Sequence, residues 1–325
     1  MTLLEIGGLR TYLPTSHGLA RGVDGVDLTL GEGEALGVVG ESGSGKSLLA
    51  LSIMGLQPRG PGSLQPGSSI RFRGQELAGA SRESLRKLRG KEMAMVFQEP
   101  LTSLNPVQTM GRQIGEALTL HRGLRKGALR DEVVRLLREV GIPEPEFRAD
   151  AFPHQLSGGM RQRGMIAMAL AGDPALLVAD EPTTALDVTV EAQILELLGR
   201  IRKERGMALL LISHDLRVVA RVCQRVAVMY GGRVVETGDT DAVLSRPQHP
   251  YTRGLLGSRL TLQDRRRSLR PIPGEVPEAT AWPAGCRFHP RCSEAARPCR
   301  EKEPGLVSRE GHLSRCLFPW EEKGS

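Results

Sequence analysis

Short aliphatic runs alternate along the chain with longer stretches in which apolar residues recur every three to four positions. Short apolar runs bounded by polar residues are typical of buried strands, and the longer period is typical of amphipathic helices. Five runs are predicted to be strands: Ala35–Val39, Met93–Phe97, Ala175–Ala179, Ala208–Ser213 and Arg225–Tyr230. This alternation predicts an α/β protein with a mainly parallel sheet.

Two helices are predicted from apolar stripes along one face. The first stripe consists of Leu129, Val133, Leu136, Leu137 and Val140, and the second of Val190, Ile194, Leu197, Leu198 and Ile201. Between about residues 98 and 164 the strand signal disappears, and after about residue 236 proline, arginine and cysteine accumulate. We therefore expect an α/β core of 1–97 and 165–235, a helical insertion of 98–164 and a loop-rich extension of 236–325.

The composition fits a soluble globular protein, because 40% of the 325 residues are apolar and 25% are charged. The net charge of +7 would suit nucleic acid, acidic lipid or phosphorylated ligands, but scattered arginines also fit an ordinary solvated surface. No apolar run reaches the roughly 18 residues of a membrane span, and no signal peptide is apparent. The chain is therefore expected to stay in the cytoplasm and to reach a membrane only through partners.

The clearest chemical motif is GESGSGKS, which follows one predicted strand and precedes an apolar helical run. It has the G-x-x-x-x-G-K-S spacing of a phosphate-binding loop, and it comprises Gly40, Glu41, Ser42, Gly43, Ser44, Gly45, Lys46 and Ser47. The glycines let successive N–H groups point at phosphate oxygens, and the following helix adds its positive end. Lys46 can reach the β- and γ-phosphates, and the Ser47 hydroxyl can bind Mg²⁺.

A second motif places two adjacent carboxylates, Asp180 and Glu181, at the end of the apolar run ALLVA. Side chains alternate along a strand, so the two acids cannot perform the same task. Asp180 suits the surroundings of the magnesium ion, and Glu181 is placed to polarise an attacking water as general base. Alone, such a pair is weak evidence, since many strands end in solvated acids.

A third motif, QLSGGMRQR, opens a predicted helix of Met160–Ala171. Ser157 is a good N-cap, and two glycines expose N–H groups at the positive helix end, so either an ordinary capped helix or a second phosphate-binding surface is expected. The predicted surface comprises Ser157, Gly158, Gly159 and Met160. Two chains facing each other could then grip each nucleotide from both sides. Gly164 and Gly172 are each expected to weaken this helix by about 1 kcal/mol.

Together, GESGSGKS, LSGGM and LLVADEP resemble the ATP-binding cassette of ABC transporters. The resemblance implies a P-loop NTPase (RecA-like) core with an antiparallel β subdomain, which binds ATP and Mg²⁺. It also implies roles for Gln98 as a ligand of magnesium or water, Asp187 in a loop that crosses a dimer interface, and His214 as a contact of the γ-phosphate. Tyr12 matches the aromatic residue that stacks on adenine. Magnesium would be held by Ser47, Gln98 and Asp180.

Longer segments, among them FQEPLTSLNPVQTMGRQIGEAL and SRPQHPYTRGLL, resemble the ATPases of oligopeptide and dipeptide importers, of the D type. The resemblance implies a peripheral subunit at the cytoplasmic face of the cell membrane. Its partners would be a paralogous ATPase or a second copy, two transmembrane permeases that dock on residues 99–114, and an extracytoplasmic peptide-binding protein. Import of nickel or another small solute is an alternative. A soluble cassette ATPase that acts on nucleic acid is a second alternative. It is disfavoured because the chain has few aromatic residues on which bases could stack.

Four of the five cysteines lie in the last 40 residues, and the fifth, Cys223, is expected to be a buried apolar residue in a helical stretch. The clustered ones are Cys286, Cys292, Cys299 and Cys316. Four thiols in loops suit a tetrahedral zinc or an iron–sulfur cluster, whereas free buried thiols and disulfides remain alternatives. His289 and His312 are further zinc candidates. The resemblance to the importer ATPases implies a four-iron–four-sulfur cluster on the four cysteines.

Overall fold

The computed structural model describes residues 1–58, 63–184, 186–258, 271–309 and 311–319. Ala185, in the segment predicted to cross a dimer interface, therefore lies outside the described residues. Within the described ranges, every helix is too short or too polar to cross a membrane.

Strands and helices alternate through most of the chain. In chain order, the strands are β1 (Thr2–Thr15), β2 (Gly18–Gly31), β3 (Ala35–Val39), β4 (Ser69–Phe72), β5 (Gln75–Glu76), β6 (Met93–Val96), β7 (Leu176–Asp180), β8 (Ala208–Ser213), β9 (Arg225–Tyr230), β10 (Arg233–Asp239), β11 (Val307–Arg309) and β12 (His312–Ser314). The helices are α1 (Lys46–Ile53), α2 (Arg82–Leu88), α3 (Pro100–Ser103), α4 (Met110–Arg122), α5 (Lys126–Glu139), α6 (Pro145–Arg148), α7 (Gly158–Leu170), α8 (Val188–Arg205), α9 (Leu216–Ala220), α10 (Thr240–Ser245), α11 (Pro250–Gly257) and α12 (Arg297–Glu301). Two single 3-10 turns are Pro153–Gln155 and His289–Arg291.

The chain folds as two compact units. The first consists of residues 80–212 with Met1 and 31–34, and the second of residues 2–30, 35–79 and the chain from 213 onward. The sequence-based division has its boundaries at 97/98, 164/165 and 235/236, which differ from those of the two units. It stays a prediction.

In the first unit, β6, β7 and β8 form parallel neighbours, with Val96 opposite Ala179 and Asp180 opposite Ile212. Every residue of β7 and β8 is buried, which explains their unbroken apolar runs. Because parallel strands end at the same edge, the residues that follow β6 and β7 emerge side by side. The described part of 98–164 is helical, as predicted.

In the second unit, β3 pairs in parallel with β9, and β9, β10, β12 and β11 continue the sheet with antiparallel pairing. A separate four-stranded sheet has the order β2-β1-β4-β5. The parallel α/β core and the antiparallel β sheet confirm the predicted fold class. The hydrophobic pattern missed β12, whose three residues extend the sheet from within the cysteine-rich extension.

All five predicted strands are present, with the ends of β6 and β7 shifted by one residue. The stripe on α5 is buried at Val133, Leu136 and Leu137, as its period required. Cys223 is buried, as predicted, but it lies between α9 and β9 rather than in a helix.

The expected effect of Gly172 was wrong, because α7 ends at Leu170 and Gly172 lies beyond it. A Cβ at this position would approach the carbonyl oxygen of Gly90 to 1.7 Å, so only glycine allows the two backbone segments to lie so close. Gly164 is inside α7, where a Cβ would meet the Met110 side chain at 2.5 Å. Gly172 is therefore a packing requirement in the first unit, whereas at Gly164 a larger residue would only require the end of the flexible Met110 side chain to move.

Candidate functional site

The phosphate-binding loop connects the end of β3 to the start of α1. Gly45 has φ 101° and precedes the first helical residue. A Cβ there would lie 2.1 Å from the carbonyl oxygen of Gly22, and one on Gly40 would lie 2.2 Å from that of Met229. Both glycines are thus required by close backbone approaches, and Gly45 is also required by its left-handed conformation.

Lys46 is held inside this loop, with 4% of its surface exposed. Its Nζ donates hydrogen bonds to the carbonyl oxygens of Gly40 at 2.8 Å and Glu41 at 3.0 Å. Ser44 Oγ is buried, and among the described residues it has no hydrogen-bond partner. A buried hydroxyl without a partner and an ammonium on loop carbonyls are groups that phosphate oxygens can engage.

Tyr12, predicted to stack on adenine, lies half-buried on β1, in the same unit as the loop. Its hydroxyl donates to Asp24 Oδ1 at 2.6 Å. Burial and this carboxylate raise the pKa of the Tyr12 hydroxyl. His214, predicted to contact the γ-phosphate, is exposed directly after β8.

In the first unit, Asp180 is the buried last residue of β7, and Glu181 follows it with φ 44°. A non-glycine residue in the left-handed region costs of order 1–3 kcal/mol, and such residues cluster at functional sites. The Glu181 N–H donates to the carbonyl oxygen of Ile212 at 3.0 Å, which fixes the backbone next to β8.

Two side chains hold the Glu181 carboxylate by the same oxygen. Oε2 accepts from Thr184 Oγ1 at 2.9 Å and from Gln98 Nε2 at 3.3 Å. The structure therefore brings Gln98 and Glu181 together, because they follow the neighbouring parallel strands β6 and β7. The contact from Thr184 was missed, although a hydroxyl three residues after the acid is a signal the sequence contains.

The third motif, QLSGGMRQR, and the predicted interface loop each supply the N-cap residue of a helix. Ser157 Oγ accepts from Met160 N at 3.3 Å at the start of α7, and Asp187 Oδ1 accepts from Val190 N at 2.9 Å at the start of α8. A Cβ on Gly159 would lie 2.9 Å from Val190 Cγ1, so this glycine lets α7 approach α8. Ser157 remains exposed, which leaves its hydroxyl available to a ligand.

Glu41, in the second unit, is held by the C-terminal extension at both its main chain and its side chain. Its N–H donates to Tyr251 Oη at 2.8 Å. Arg291 Nη1 and Nη2 donate to the two carboxylate oxygens at 2.7 and 3.1 Å. Sequence reasoning missed both contacts, because the partners lie 210 and 250 residues apart along the chain.

A second arginine of the extension, Arg287, binds the Asp24 carboxylate that accepts from Tyr12. Its guanidinium lies 5.0 Å over the Trp282 ring, and Trp282 Nε1 donates to the carbonyl oxygen of Arg21 at 3.0 Å. Burial raises the pKa of Asp24, but hydrogen bonds from Tyr12 and Arg287 outweigh it and bring the pKa to about 2. Asp24 is therefore ionised at neutral pH.

The four clustered cysteines line one pocket of the second unit, which has about 340 Å³ of empty space, part of it open to solvent. Burial raises the pKa of Cys286 to about 12 and that of Cys316 to about 11. Within the described ranges, no group of three or more His, Cys, Asp and Glu residues is arranged to hold a metal ion as it stands. The thiols thus share a cavity without forming a closed ligand set.

The two histidines proposed as zinc ligands differ in position. His289 lines the cysteine pocket, and its Nδ1 lies 2.9 Å from the carbonyl oxygen of Cys286. His312 lies outside the pocket lining, where its Nε2 contacts the buried Glu236 carboxylate at 2.8 Å. The structure therefore supports His289, but not His312, as a residue of the cysteine pocket.

Two protein families match this chain. Residues 23–184 match the ABC transporter family, and residues 235–299 match the C-terminal region of oligopeptide/dipeptide transporters. The chain is 49% identical to a protein of Brucella ovis over 98% of both lengths. It is also 49% identical to a protein of Brucella abortus over 98% of this chain and 96% of that protein. Both relatives are named, provisionally, as peptide import ATP-binding proteins.

Solved structures share the fold. A dimeric structure of the ATP-binding cassette MJ0796 in a post-hydrolysis state, bound to ADP and Pi, covers 73% of this chain and 99% of its own. Its TM-score is 0.66 at 27% identity. The cbiO1 protein of Clostridium perfringens, part of the ABC transporter complex cbiONQ, covers 75% of this chain and 91% of its own, with a TM-score of 0.63 at 28% identity.

Proposed function

The chain belongs to the ABC transporter family of ATP-binding proteins, and we propose that it is the ATP-hydrolysing subunit of an importer for dipeptides and oligopeptides. The observation that carries the proposal is the 49% identity to proteins named for peptide import, which extends over 98% of the chain and includes the cysteine-rich end. The match of residues 235–299 to the C-terminal region of oligopeptide/dipeptide transporters supports the same cargo.

ATP binds through its phosphates to the loop of residues 40–47. The Lys46 ammonium and the loop N–H groups meet the β- and γ-phosphates, and the partnerless Ser44 hydroxyl supplies a further donor. Tyr12 stacks on the adenine ring. Ser47, Gln98 and Asp180 offer the oxygen ligands that suit Mg²⁺, which, when bound, neutralises phosphate charge.

Glu181 acts as the general base on the attacking water. Its carboxylate is oriented by Thr184 and Gln98, and the strained backbone at φ 44° fixes the direction of the side chain. His214 contacts the γ-phosphate. Most of the rate enhancement comes from charge neutralisation by Lys46 and by the N-terminus of α7 from a facing chain.

The working unit contains two ATPase chains. The exposed Ser157 at the N-terminus of α7 contacts the nucleotide bound to the facing chain. The facing chain is a paralogue or a second copy, and Asp187 lies near the interface between the two chains. Two transmembrane permeases dock on residues 99–114, where Val107 exposes 77% of its surface. This chain lies at the cytoplasmic face of the membrane. An extracytoplasmic binding protein selects the peptide, so this chain does not contact the cargo.

The cysteine pocket holds a four-iron–four-sulfur cluster. The four cysteines fit such a cluster because their thiols line a single cavity, which is also lined by Phe288 and Pro304. Such a cluster supplies one-electron chemistry or a structural crosslink. Cys286, Cys292, Cys299 and Cys316 would hold it as thiolates.

Anaerobically purified protein is expected to contain about four iron and four acid-labile sulfide per chain. Cys316→Ser should lose most of both, because it removes one of the four ligands. Cys223→Ser is the matched control, since Cys223 is buried outside the pocket, and it should retain both. Stoichiometric zinc without iron in the wild-type protein would contradict the cluster.

The importer is tested by purifying the tagged chain from mildly solubilised native membranes and identifying its companions by mass spectrometry. We expect two multi-spanning permeases and an ATPase subunit, together with a peptide-binding protein. Recovery with a binding protein for nickel or another small solute would contradict the assignment of peptides as the cargo. Recovery as a soluble complex with nucleic acid would overturn the transport function.

A further inference from the structure

A carboxylate lies inside the loop that is proposed to bind phosphates. Glu41 is the second residue of GESGSGKS. Like charges repel, so an uncompensated Glu41 would oppose the binding of a polyanion at short range. Both of its carboxylate oxygens accept from Arg291, at 2.7 and 3.1 Å, in the bidentate geometry that arginine forms with carboxylates. The loop charge is therefore neutralised without a ligand.

Arg291 is itself fixed by its surroundings. Its side chain is 5% exposed, and its Nε donates to the carbonyl oxygen of Pro273 at 2.9 Å. The guanidinium lies 5.7 Å from the centre of the Tyr230 ring. The Arg291 guanidinium is thus fixed by Pro273 and Tyr230 as well as by Glu41. Arg291 can therefore hold the Glu41 carboxylate in place.

The main chain of Glu41 is held by the same extension. Tyr251 on α11 is fully buried, and its hydroxyl accepts from the Glu41 N–H. Tyr230 and Tyr251 pack with ring centres 4.7 Å apart, and both contact Phe288. The aromatic cluster thus connects the loop to the turn that contains Arg291.

A second arginine–carboxylate pair lies beside Tyr12, the residue proposed to stack on adenine. Arg287 binds Asp24, and Asp24 accepts from the Tyr12 hydroxyl. Arg287 directly follows Cys286, and Arg291 directly precedes Cys292. The segment that lines the cysteine pocket therefore reaches both ends of the proposed nucleotide site through two buried arginines.

We propose that Arg291 is a positioning residue of the ATP site, which cancels the charge of Glu41 and fixes the phosphate-binding loop. The inference rests on the proposed binding of ATP to this loop. Arg287 has the corresponding task for Tyr12, through Asp24. The cysteine-rich extension is thereby a structural support of the nucleotide site in addition to being the place of the cysteine pocket.

The test measures the dissociation constant of a fluorescent N-methylanthraniloyl ATP, with Mg²⁺, for the full chain. Arg291→Met is expected to weaken binding roughly 10- to 100-fold, since a charge-assisted contact is lost and Glu41 faces the phosphates unpaired. Arg291→Lys keeps the charge but loses the bidentate fork, so an intermediate loss is expected. The double variant Glu41→Gln with Arg291→Met should recover most of the affinity, because no uncompensated charge remains.

Arg297→Met is the matched control, because Arg297 lies in the same extension but forms an exposed ion pair with Glu301. It should bind like the wild type. Fluorescent adenosine, which lacks phosphates, should bind equally to the wild type and to Arg291→Met. If circular dichroism shows that Arg291→Met is unfolded, the ATP affinity of Arg291→Lys decides in its place.

The proposal is overturned if Arg291→Met and Arg291→Lys bind ATP as tightly as the wild type, or if the double variant is as weak as the single one. An equal loss of adenosine binding would also overturn it, since it would indicate a general packing defect. A wild-type chain that does not bind the ATP analogue would instead refute the proposed function itself.

Discussion

Glu181→Gln is expected to bind MgATP while its steady-state hydrolysis rate falls roughly 100- to 10,000-fold, the contribution typical of a general base. The substitution keeps the shape of the side chain. Both donors, Thr184 Oγ1 and Gln98 Nε2, contact the single oxygen Oε2. A glutamine whose carbonyl takes that position can keep both hydrogen bonds, but it can no longer accept a proton from water.

The measurement is phosphate release, with nucleotide affinity determined separately and the oligomeric state followed by size-exclusion chromatography with ATP. If two chains enclose the nucleotide as proposed, the variant should accumulate as an ATP-bound dimer, because the ATP between the chains is no longer hydrolysed. Glu204→Gln, which removes a surface carboxylate paired with Arg200, serves as the control and should turn over normally. Wild-type turnover in Glu181→Gln would rule out Glu181 as the base.

The part of the site that was predictable depends on local chain geometry. A phosphate-binding loop is contiguous, so its glycines, Lys46 and Ser47 are recognisable from spacing. The proximity of Gln98 to Glu181 follows from parallel strands that end at one edge. Helix caps such as Ser157 and Asp187 act within three residues, and a single sequence contains that signal.

The rest depends on contacts between distant segments. Glu41 and Arg291 are 250 residues apart, and Asp24 and Arg287 are 263 apart. Nothing in the periodicity of either segment encodes such a pair. The same holds for Gly172, whose need for glycine arises from the backbone of Gly90 and not from its own helix. Long-range packing decides these positions, and it is visible only in the folded chain.

Lys46→Ala is expected to weaken MgATP binding by at least about 100-fold. The Lys46 ammonium already lies within the loop, 2.8 and 3.0 Å from the carbonyl oxygens of Gly40 and Glu41. ATP therefore meets a cation that needs little reorganisation, and its removal loses a charge-assisted contact in a buried position. Alanine is the best helix former, so the start of α1 should remain intact.

Titration with the fluorescent ATP analogue measures the effect, and thermal unfolding followed by circular dichroism checks the fold. Lys87→Ala is the control: its side chain is 72% exposed and forms an ion pair with Glu83 across one helical turn, so affinity should not change. The loss at Lys46 should be large for ATP and small for adenosine, because the ammonium acts on phosphates. Unchanged ATP affinity in Lys46→Ala would contradict the assignment of residues 40–47 as the phosphate-binding loop.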